Sequence, residues 1–403
     1  MKKPIPRIWI FIILFVAIII AHIIILRVVV RGGNAPENTV QIAETPQTNR
    51  AATARSKTEP AKPEAVVETK SAGDKKADPK PAEEKKPGFF ERLFGGGKPA
   101  EVEPPKPPET PAAPPKPAFR YRKPSENPFF GAPLDFSHAR HGDLPEKLVP
   151  GSSGAGTGIV VDMDTRKVLW EKKSHQPVPV ASMVMMMTML LTAEAMERTG
   201  KPELDDKITI TRAAMQVKRT GVLWLAPGET FTMRELLLGI AVKSANDAAT
   251  QIAEVIAGDV DKFVHEMNAR AKALHLDSMR FYNPCGLPDK QGRNAMSNAA
   301  DMVLLGEQLL EYPFLIEMCS TLKGAIRDGK TVFVNTNHLI NPHYPGVDGL
   351  KTGYINQSGF CLTFSALRDG RRIIGCVTGF KNARDRDRFC RKLIDWAYQQ
   401  PAK

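Results

Sequence analysis

Three short motifs could together form a serine-based acyl-transfer site. Ser182–Met185 opens the series, Ser244–Asn246 begins 62 residues later, and Lys351–Gly353 begins a further 107 residues along the chain. Patterns of the form S-x-x-K, S-D-N and K-T-G occur together in enzymes whose nucleophile is the first serine. Each motif alone arises by chance in many chains. The three in this order predict one site.

Acyl transfer from a serine requires four elements: a nucleophile, a base, a proton relay and an oxyanion hole. A serine at the start of a helix exposes its hydroxyl, and a lysine three positions later lies on the same face. A second serine and an asparagine extend the proton path and hold a substrate amide. A Lys-Thr-Gly strand brings a cation and a hydroxyl to a carboxylate, and its glycine permits close approach of the backbone.

Met185 stands where this chemistry places the base. Methionine has about the length of lysine, but its thioether has no amine that could accept a proton. General-base assistance typically contributes 10²–10⁴-fold to a rate. We therefore expect a retained nucleophile with most or all of its turnover lost. The surrounding methionines indicate flexible packing of a buried helix: Met183, Met186, Met187 and Met189.

Two other lysines are candidates for a substitute base. Lys243 directly precedes Ser244, so its side chain should leave the chain in a different direction. Lys351 is needed to bind a carboxylate. Rescue by another amine and a misassigned register at Met185 both stay open as alternatives to a loss of turnover.

Four segments match one family in particular. Residues 179–188 are similar to P-x-A-S-L-T-K-x-M-T, and residues 237–249 match the second element of that family almost letter for letter. Residues 283–287 resemble its N-P-x-G-L, and residues 345–354 carry its third element. Over residues 152–399 the chain resembles the low-molecular-mass penicillin-binding proteins that act as serine-type D-alanyl-D-alanine carboxypeptidases.

This resemblance implies a β-lactamase/DD-peptidase-like α+β fold, with a helical cluster against an antiparallel sheet. It also implies peptidoglycan stem peptides as substrates, β-lactams as further ligands, and no cofactor or metal. Ser182 would be the acylated nucleophile and Ser244 the proton relay, while Met185 takes the place of the base lysine. The substrate-binding residues would be Asn246, Lys351, Thr352 and Gly353.

Two alternatives concern single features of the resemblance. Ser182 could serve as a helix N-cap as well as, or instead of, a nucleophile. Class A β-lactamases fit less well, because no E-x-x-L-N element lies between Asn246 and Lys351. The chain ends at Lys403, so the C-terminal β domain and tail anchor frequent in the family are expected to be absent, with an N-terminal span as the anchor.

The N-terminus carries a candidate membrane span. Residues 8–26 are apolar except for His22, and 19 helical residues span about 28 Å, close to a hydrocarbon core of about 30 Å. Lys2, Lys3 and Arg7 precede the run, which favours a cytoplasmic N-terminus, although basic residues also follow it. The run is longer than a signal-peptide core, and cleavage is the alternative. We expect a cytoplasmic segment at 1–7, a span at 8–30, and a folded domain outside the inner (cytoplasmic) membrane.

Residues 31–130 have the composition of a disordered linker. Between Pro36 and Pro128 lie 18 of the 33 prolines, mixed with Lys, Glu, Ala and Thr. Such a segment has too little apolar surface to offset the entropy of ordering it. One apolar island, Phe89–Phe94, is either a docking segment for a cell-envelope partner or a few apolar residues in a disordered tail.

The folded domain is predicted over 131–403. Strands at 159–162 and 167–170 flank a turn, and helices are expected over 182–198, 233–255 (with a break near Ser244) and 299–310. Two further strands (359–366, 372–380) and a closing helix (384–398) follow. Strands at both ends of the domain predict one sheet that is covered by the central helices.

The charge distribution and the cysteine spacing argue against a nucleic-acid-binding protein and against a zinc protein. The net charge is +12, but residues 151–403 hold only about +5 of it, with no basic stripe interleaved with aromatics, so no nucleic-acid partner is expected. The five cysteines have no zinc-like spacing, and Cys361 and Cys376 lie in apolar runs where buried thiols are expected. The sequence therefore leaves two functions: a membrane-anchored carboxypeptidase-like protein that binds peptidoglycan or a partner without turnover, and an active carboxypeptidase with a substitute base.

Overall fold

The computed structural model describes residues 123–217 and 220–401, all within the compact unit Lys106–Lys403. The predicted span, the linker as far as residue 122 and the apolar island lie outside the described residues. Within the described part of the chain, no helix combines the length and apolar character needed to cross a membrane.

A six-stranded sheet forms the centre of the domain. Its strands are β1 (Arg140–His141), β2 (Thr157–Asp162), β3 (Val168–Lys172), β10 (Val347–Ile355), β11 (Gly359–Arg368) and β12 (Arg371–Phe380). They lie in the order β1-β3-β2-β12-β11-β10, and all neighbouring strands are antiparallel except the short pair β1 and β3, which is parallel. The sheet is therefore built from both ends of the domain, as the sequence predicted.

Three two-stranded ribbons lie outside this sheet, pairing β4 with β7, β5 with β6, and β8 with β9. Their bounds are β4 (Val178–Pro179), β5 (Lys207–Thr209), β6 (Thr230–Thr232), β7 (Met296–Ser297), β8 (Lys323–Ile326) and β9 (Thr331–Val334). The β8–β9 hairpin exposes alternate residues, Val332 and Val334, because strand side chains point to opposite faces.

Seven α-helices are described. They are α1 (Met185–Thr199), α2 (Met233–Leu238), α3 (Asn246–Ala257), α4 (Val260–Ala273), α5 (Ala299–Leu309), α6 (Pro313–Cys319) and α7 (Ala383–Gln399). The central helices share one apolar core with one face of the sheet, while α7 packs with Trp170 and Phe364 on the opposite face. Each face of the sheet thus buries its own core, which makes the domain layered.

Helix α1 is buried along most of its length. Its methionines at 185, 186, 187 and 189 have no exposed surface, which confirms the predicted packing role of the methionine cluster. A glycine, Gly200, ends the helix at a φ of 70°, in the left-handed region that glycine adopts without strain. All five cysteines are buried free thiols, and burial raises the pKa of each. Such thiols are poor nucleophiles.

Candidate active site

Ser182 lies on a short 3₁₀ turn, Ala181–Val184, which leads directly into α1. Val180 and Val184 occupy the capping positions of the turn and the helix, and neither end has a side-chain cap. The N-cap alternative for Ser182 is therefore wrong. Ala181, just before the serine, has a φ of 48°, a conformation that costs a non-glycine residue about 1–2 kcal/mol. Tertiary packing must hold this turn in place.

Two glycines supply that packing. A Cβ atom on Gly286, in the N-P-C-G-L segment, would lie 2.0 Å from the carbonyl oxygen of Ala181. A Cβ atom on Gly353 would lie 2.6 Å from the carbonyl oxygen of Val180. Only glycine permits backbones to approach this closely. The first and third motifs therefore meet at the Ser182 turn. The 283–287 segment contacts the same turn through Gly286.

The second motif reaches the same place through Met185. The Ser244 hydroxyl lies 3.6 Å from the Met185 sulfur, to which it donates a hydrogen bond. Met185 is three residues after Ser182, one helical turn along, and has no exposed surface. A thioether accepts only weak hydrogen bonds and carries no amine. The position predicted for the base is thus adjacent to the predicted proton relay, but it is occupied by a group that cannot accept its proton.

The backbone at Ser244 has an unusual geometry. A single π-helical turn, Gly239–Lys243, follows α2, and Ser244 then adopts a φ of 62° before α3 begins. Turns of this kind occur frequently at functional sites, where strain persists because surrounding contacts hold it. Lys243 is exposed whereas Ser244 is half-buried, so the two side chains point to different surroundings, as expected from their adjacency.

Asn246 begins α3 and is buried. Its side-chain amide donates to the Thr220 carbonyl at 2.6 Å, and its backbone N–H donates to the Gly221 carbonyl at 2.7 Å. Its amide oxygen is buried and has no hydrogen-bond partner among the described residues. A buried acceptor without a partner is uncommon in native proteins.

Lys351 lies on β10 and is 1% exposed. Its ammonium group donates to the Thr352 carbonyl at 3.2 Å, and no ion pair with a carboxylate is seen within residues 123–217 and 220–401. Burial, and to a smaller extent the charge of Arg386, lowers the pKa of Lys351 to about 7. Near neutral pH the side chain is therefore divided between charged and neutral forms, and a ligand carboxylate that reached it would favour the charged form.

Thr352 is buried next to a residue that the motifs do not predict. The hydroxyls of Thr352 and Thr336 are 2.8 Å apart, and the Thr336 backbone N–H donates to the carbonyl of Val242. Thr336 thus connects the third motif to the turn that carries the second. No local pattern marks it, because its role depends only on the tertiary fold.

A second residue absent from the predicted site is Asp247. Its buried carboxylate accepts hydrogen bonds from the backbone N–H groups of Leu223 and Leu225, at 3.0–3.1 Å. It thereby fixes the loop that follows Gly221. One sequence signal could have found Asp247, because it lies inside the segment 237–249 that carries the resemblance.

The turn that carries Ser182, the strained Ser244 and the Lys351–Gly353 strand meet in one region of the folded domain. The family model described as D-alanyl-D-alanine carboxypeptidase matches residues 146–382. The chain belongs to this family. The low-molecular-mass penicillin-binding protein assignment made from the sequence is confirmed.

Sequence relatives agree with this assignment. The chain is 38% identical to D-alanyl-D-alanine carboxypeptidase DacF of Bacillus subtilis over 61% of its own length and 62% of that relative. It is 32% identical to DacA of Escherichia coli over 65% of its own length and 66% of that relative. The chain therefore spans slightly less than two thirds of the length of these relatives.

A solved structure shares the fold. Penicillin-binding protein D2 of Listeria monocytogenes, in its cefotaxime-bound form, aligns with a TM-score of 0.56 at 28% identity. The alignment covers 61% of this chain and 97% of that chain. Nearly the whole Listeria domain is thus matched by the folded part of this chain, which supports the predicted sheet-and-helix architecture.

Proposed function

We propose that this chain is a D-alanyl-D-alanine carboxypeptidase-like protein that binds peptidoglycan stem peptides but has lost most or all turnover. The observation that carries the proposal is the 3.6 Å contact from the Ser244 hydroxyl to the Met185 sulfur. The relay serine points its proton at a group that does not become protonated at neutral pH. Ser182 therefore keeps a neutral hydroxyl and lacks general-base assistance.

The groups that would bind a ligand do not depend chemically on Met185. Asn246 offers a buried acceptor, and Lys351 and Thr352 offer a cation and a hydroxyl on one strand. The relatives named above are carboxypeptidases, and the Listeria protein binds a β-lactam. These observations support stem peptides and β-lactams as the ligand classes of this chain.

We also propose that residues 8–30 anchor the chain in the cytoplasmic membrane and that residues 31–122 tether the domain outside it. The predicted linker extended to residue 130, but Ser125 donates to Glu311 and Asn127 to the Met163 carbonyl, so residues 123–130 belong to the folded domain. The support is the apolar run at 8–26 and the proline-rich composition that follows. Protease treatment of spheroplasts tests this topology. Before treatment the domain should remain with the membrane fraction, and protease added from outside should digest it. Protection of the domain, or its release without protease, would contradict the proposal.

The loss of turnover is tested on the full-length protein in detergent. Fluorescent-penicillin labelling and D-alanine release from a stem-peptide mimic should both be negligible, and equal to those of Ser182→Ala. Rapid release that disappears in Ser182→Ala would overturn the loss of turnover. Binding of the same mimic, measured by calorimetry, tests the retained ligand site separately.

A second candidate function is an active carboxypeptidase in which Lys351 serves as the substitute base. The favouring observation is the burial of this amine and its pKa of about 7, which leaves a large neutral fraction at physiological pH. Since only the neutral amine accepts a proton, D-alanine release would increase as the pH rises through about 7. It would also disappear in Lys351→Met. Release that is absent at pH 8.5 excludes this candidate.

A further inference from the structure

The link between β9 and β10 is held in place by two buried asparagines, Asn335 and Asn337, which are 3% and 1% exposed. The Asn335 side-chain amide donates to two backbone carbonyls at and just beyond the end of α6, each at 2.9 Å. The Asn337 side-chain amide donates to the Gly349 carbonyl of β10 at 3.1 Å. The Asn335 amide oxygen also accepts the Asn337 backbone N–H at 2.8 Å. The backbone on either side of Thr336 is therefore fixed.

Thr336, between these asparagines, contacts residues of two motif-bearing elements. Its backbone N–H donates to the Val242 carbonyl at 3.0 Å, and its hydroxyl oxygen lies 2.8 Å from that of Thr352. Val242 is two residues before Ser244, and Thr352 directly follows Lys351. Thr336 is half-buried, whereas Thr352 is 7% exposed. The pair of hydroxyls therefore lies where the elements of the second and third motifs approach each other.

The two hydroxyls together have one proton more than their contact requires. A threonine hydroxyl is one donor and two acceptors, so the contact uses one of the two protons. Neither hydroxyl has another hydrogen-bond partner among residues 123–217 and 220–401. When Thr352 donates to Thr336, the proton of Thr352 is occupied. When Thr336 donates instead, the Thr352 proton is free, so the direction of this one bond determines whether Thr352 can donate to a ligand.

We infer that Thr336 is a positioning residue that donates its proton to the Thr352 hydroxyl and thereby directs the Thr352 proton to the terminal carboxylate of a bound stem peptide. A carboxylate only accepts hydrogen bonds, so it can bond to the Thr352 hydroxyl only in this arrangement. Because the backbone of Thr336 is fixed before a ligand arrives, the arrangement requires little ordering on binding. This role rests on the proposed function, since it concerns the same ligand site, and it has two consequences. Thr336 acts only through Thr352, and only on ligands that end in a carboxylate.

The test compares two ligands by calorimetry on the full-length protein in detergent. One is a D-Ala-D-Ala-ended stem peptide, called the acid peptide. The other has ethylamine in place of the terminal D-alanine and is called the decarboxylated peptide, because it lacks both the charge and the acceptor oxygens of the carboxylate. The parent protein and every variant carry Ser182→Ala, so that the heat reports binding whether or not the natural chain turns over.

The variants separate the hydroxyl of Thr336 from its shape. Thr336→Val keeps the shape of the side chain and removes the hydroxyl, and Thr336→Ser keeps the hydroxyl. Thr352→Val removes the group through which Thr336 is proposed to act, and it is made alone and together with Thr336→Val. The matched control is Thr331→Val, because Thr331 is a half-buried threonine of β9 whose hydroxyl accepts a long hydrogen bond, 3.4 Å, from Arg327. Thermal unfolding shows that each variant is folded.

Thr336→Val should weaken the binding of the acid peptide about three- to tenfold, as expected for the loss of one hydrogen bond, and should leave the binding of the decarboxylated peptide unchanged. Thr336→Ser should restore most of the affinity for the acid peptide, and Thr331→Val should bind both peptides as the parent does. Thr352→Val should also weaken the binding of the acid peptide. Adding Thr336→Val to Thr352→Val should cause no further loss, because the two hydroxyls act as one unit.

Three results would overturn this role for Thr336. Unchanged binding of the acid peptide in Thr336→Val would show that the hydroxyl pair takes no part in binding. An equal loss for both peptides would show that Thr336 only supports the shape of the site. Additive losses in the double variant would show that Thr336 does not act through Thr352.

The parent protein distinguishes these failures from failure of the proposed function. If it binds neither peptide, the proposed ligand site is refuted and the role of Thr336 with it. If it binds both peptides with equal affinity, stem peptides remain the ligand class, and the role of Thr336 alone is refuted.

Discussion

The Ser244 hydroxyl donates its hydrogen bond to the Met185 sulfur at 3.6 Å, so Met185 is part of the packing of the candidate site. Met185 is wholly buried and belongs to the apolar core shared by α1 and the sheet. The methionine therefore contributes to folding at a position where a lysine amine would have to be desolvated.

Met185→Lys should restore penicillin labelling at least in part. The new amine would lie one helical turn from Ser182 and beside Ser244, where it could accept the proton that the thioether cannot. We expect labelling of the full-length protein to rise by about 10²-fold or more over the wild-type protein, at the low end of general-base assistance. Gel fluorescence after incubation with a labelled penicillin measures it.

The control for this gain is Met185→Lys combined with Ser182→Ala, which should not label. Met185→Leu keeps an apolar side chain of similar volume. This variant should not be labelled by penicillin and should lose little stability. A folded Met185→Lys protein without labelling would show that the site has decayed at other positions as well. Thermal unfolding of all three variants separates that result from misfolding.

Much of this fold follows from sequence pattern, because continuous apolar runs mark the segments that must be buried. The apolar runs that became β2, β11 and β12 and the buried helix α1 are fixed by which residues must leave water. The meeting of Ser182 with the third motif was predicted from motif order alone. Gly286 and Gly353 explain it physically, since their lack of a Cβ atom is what allows contact.

Other features could not be predicted from local pattern. Lys351 is buried although charged residues are almost never fully buried without a partner, and only the packing around β10 determines this. The contact between Thr352 and Thr336 joins residues in separate elements, and no local pattern marks Thr336. The strained, exposed position of Trp224 depends on Asp247 and Arg327, which are distant in sequence from each other.

Lys351→Ala should weaken the binding of a D-Ala-D-Ala peptide by about tenfold or more. A charge-assisted hydrogen bond to a carboxylate contributes roughly 1.5–3 kcal/mol, and 1.4 kcal/mol corresponds to a tenfold change in affinity. Lys243→Ala, which removes an exposed cation beside Ser244, should have little effect and is the matched control. Equal affinities for wild-type protein and Lys351→Ala in an NMR titration would remove Lys351 from the ligand site.

Peptide binding should weaken as the pH rises above about 7. Lys351 has a pKa of about 7 when no ligand is bound, and a bound carboxylate would raise it. Above the free pKa, binding must therefore draw one proton onto the amine, and affinity falls by up to about tenfold per pH unit. Calorimetry at pH 8 in two buffers of different ionisation enthalpy should reveal this proton uptake. A flat affinity between pH 6 and 9 would show that the ammonium does not contact the ligand.

Gly286→Ala should destabilise the domain far more than Gly292→Ala. Both glycines have a positive φ, 81° and 77°, so an alanine at either position carries a similar backbone strain of about 1–2 kcal/mol. At Gly292 a Cβ atom meets nothing within 4 Å, whereas at Gly286 it would lie 2.0 Å from the Ala181 carbonyl oxygen. Overpacking of this kind adds about 1–3 kcal/mol, which should appear as a lower midpoint of thermal or urea unfolding.

The same pair of variants tests whether Gly286 positions the nucleophile. Placed in the Met185→Lys background, Gly286→Ala must displace the Ala181 backbone and with it Ser182, so the restored penicillin labelling should be lost. Gly292→Ala should retain it, because the loop there is open to solvent. The labelling is measured well below the unfolding midpoint of each variant, so that both proteins are folded. Equal labelling in the two variants would show that the turn carrying Ser182 adjusts to the added methyl group without moving the serine.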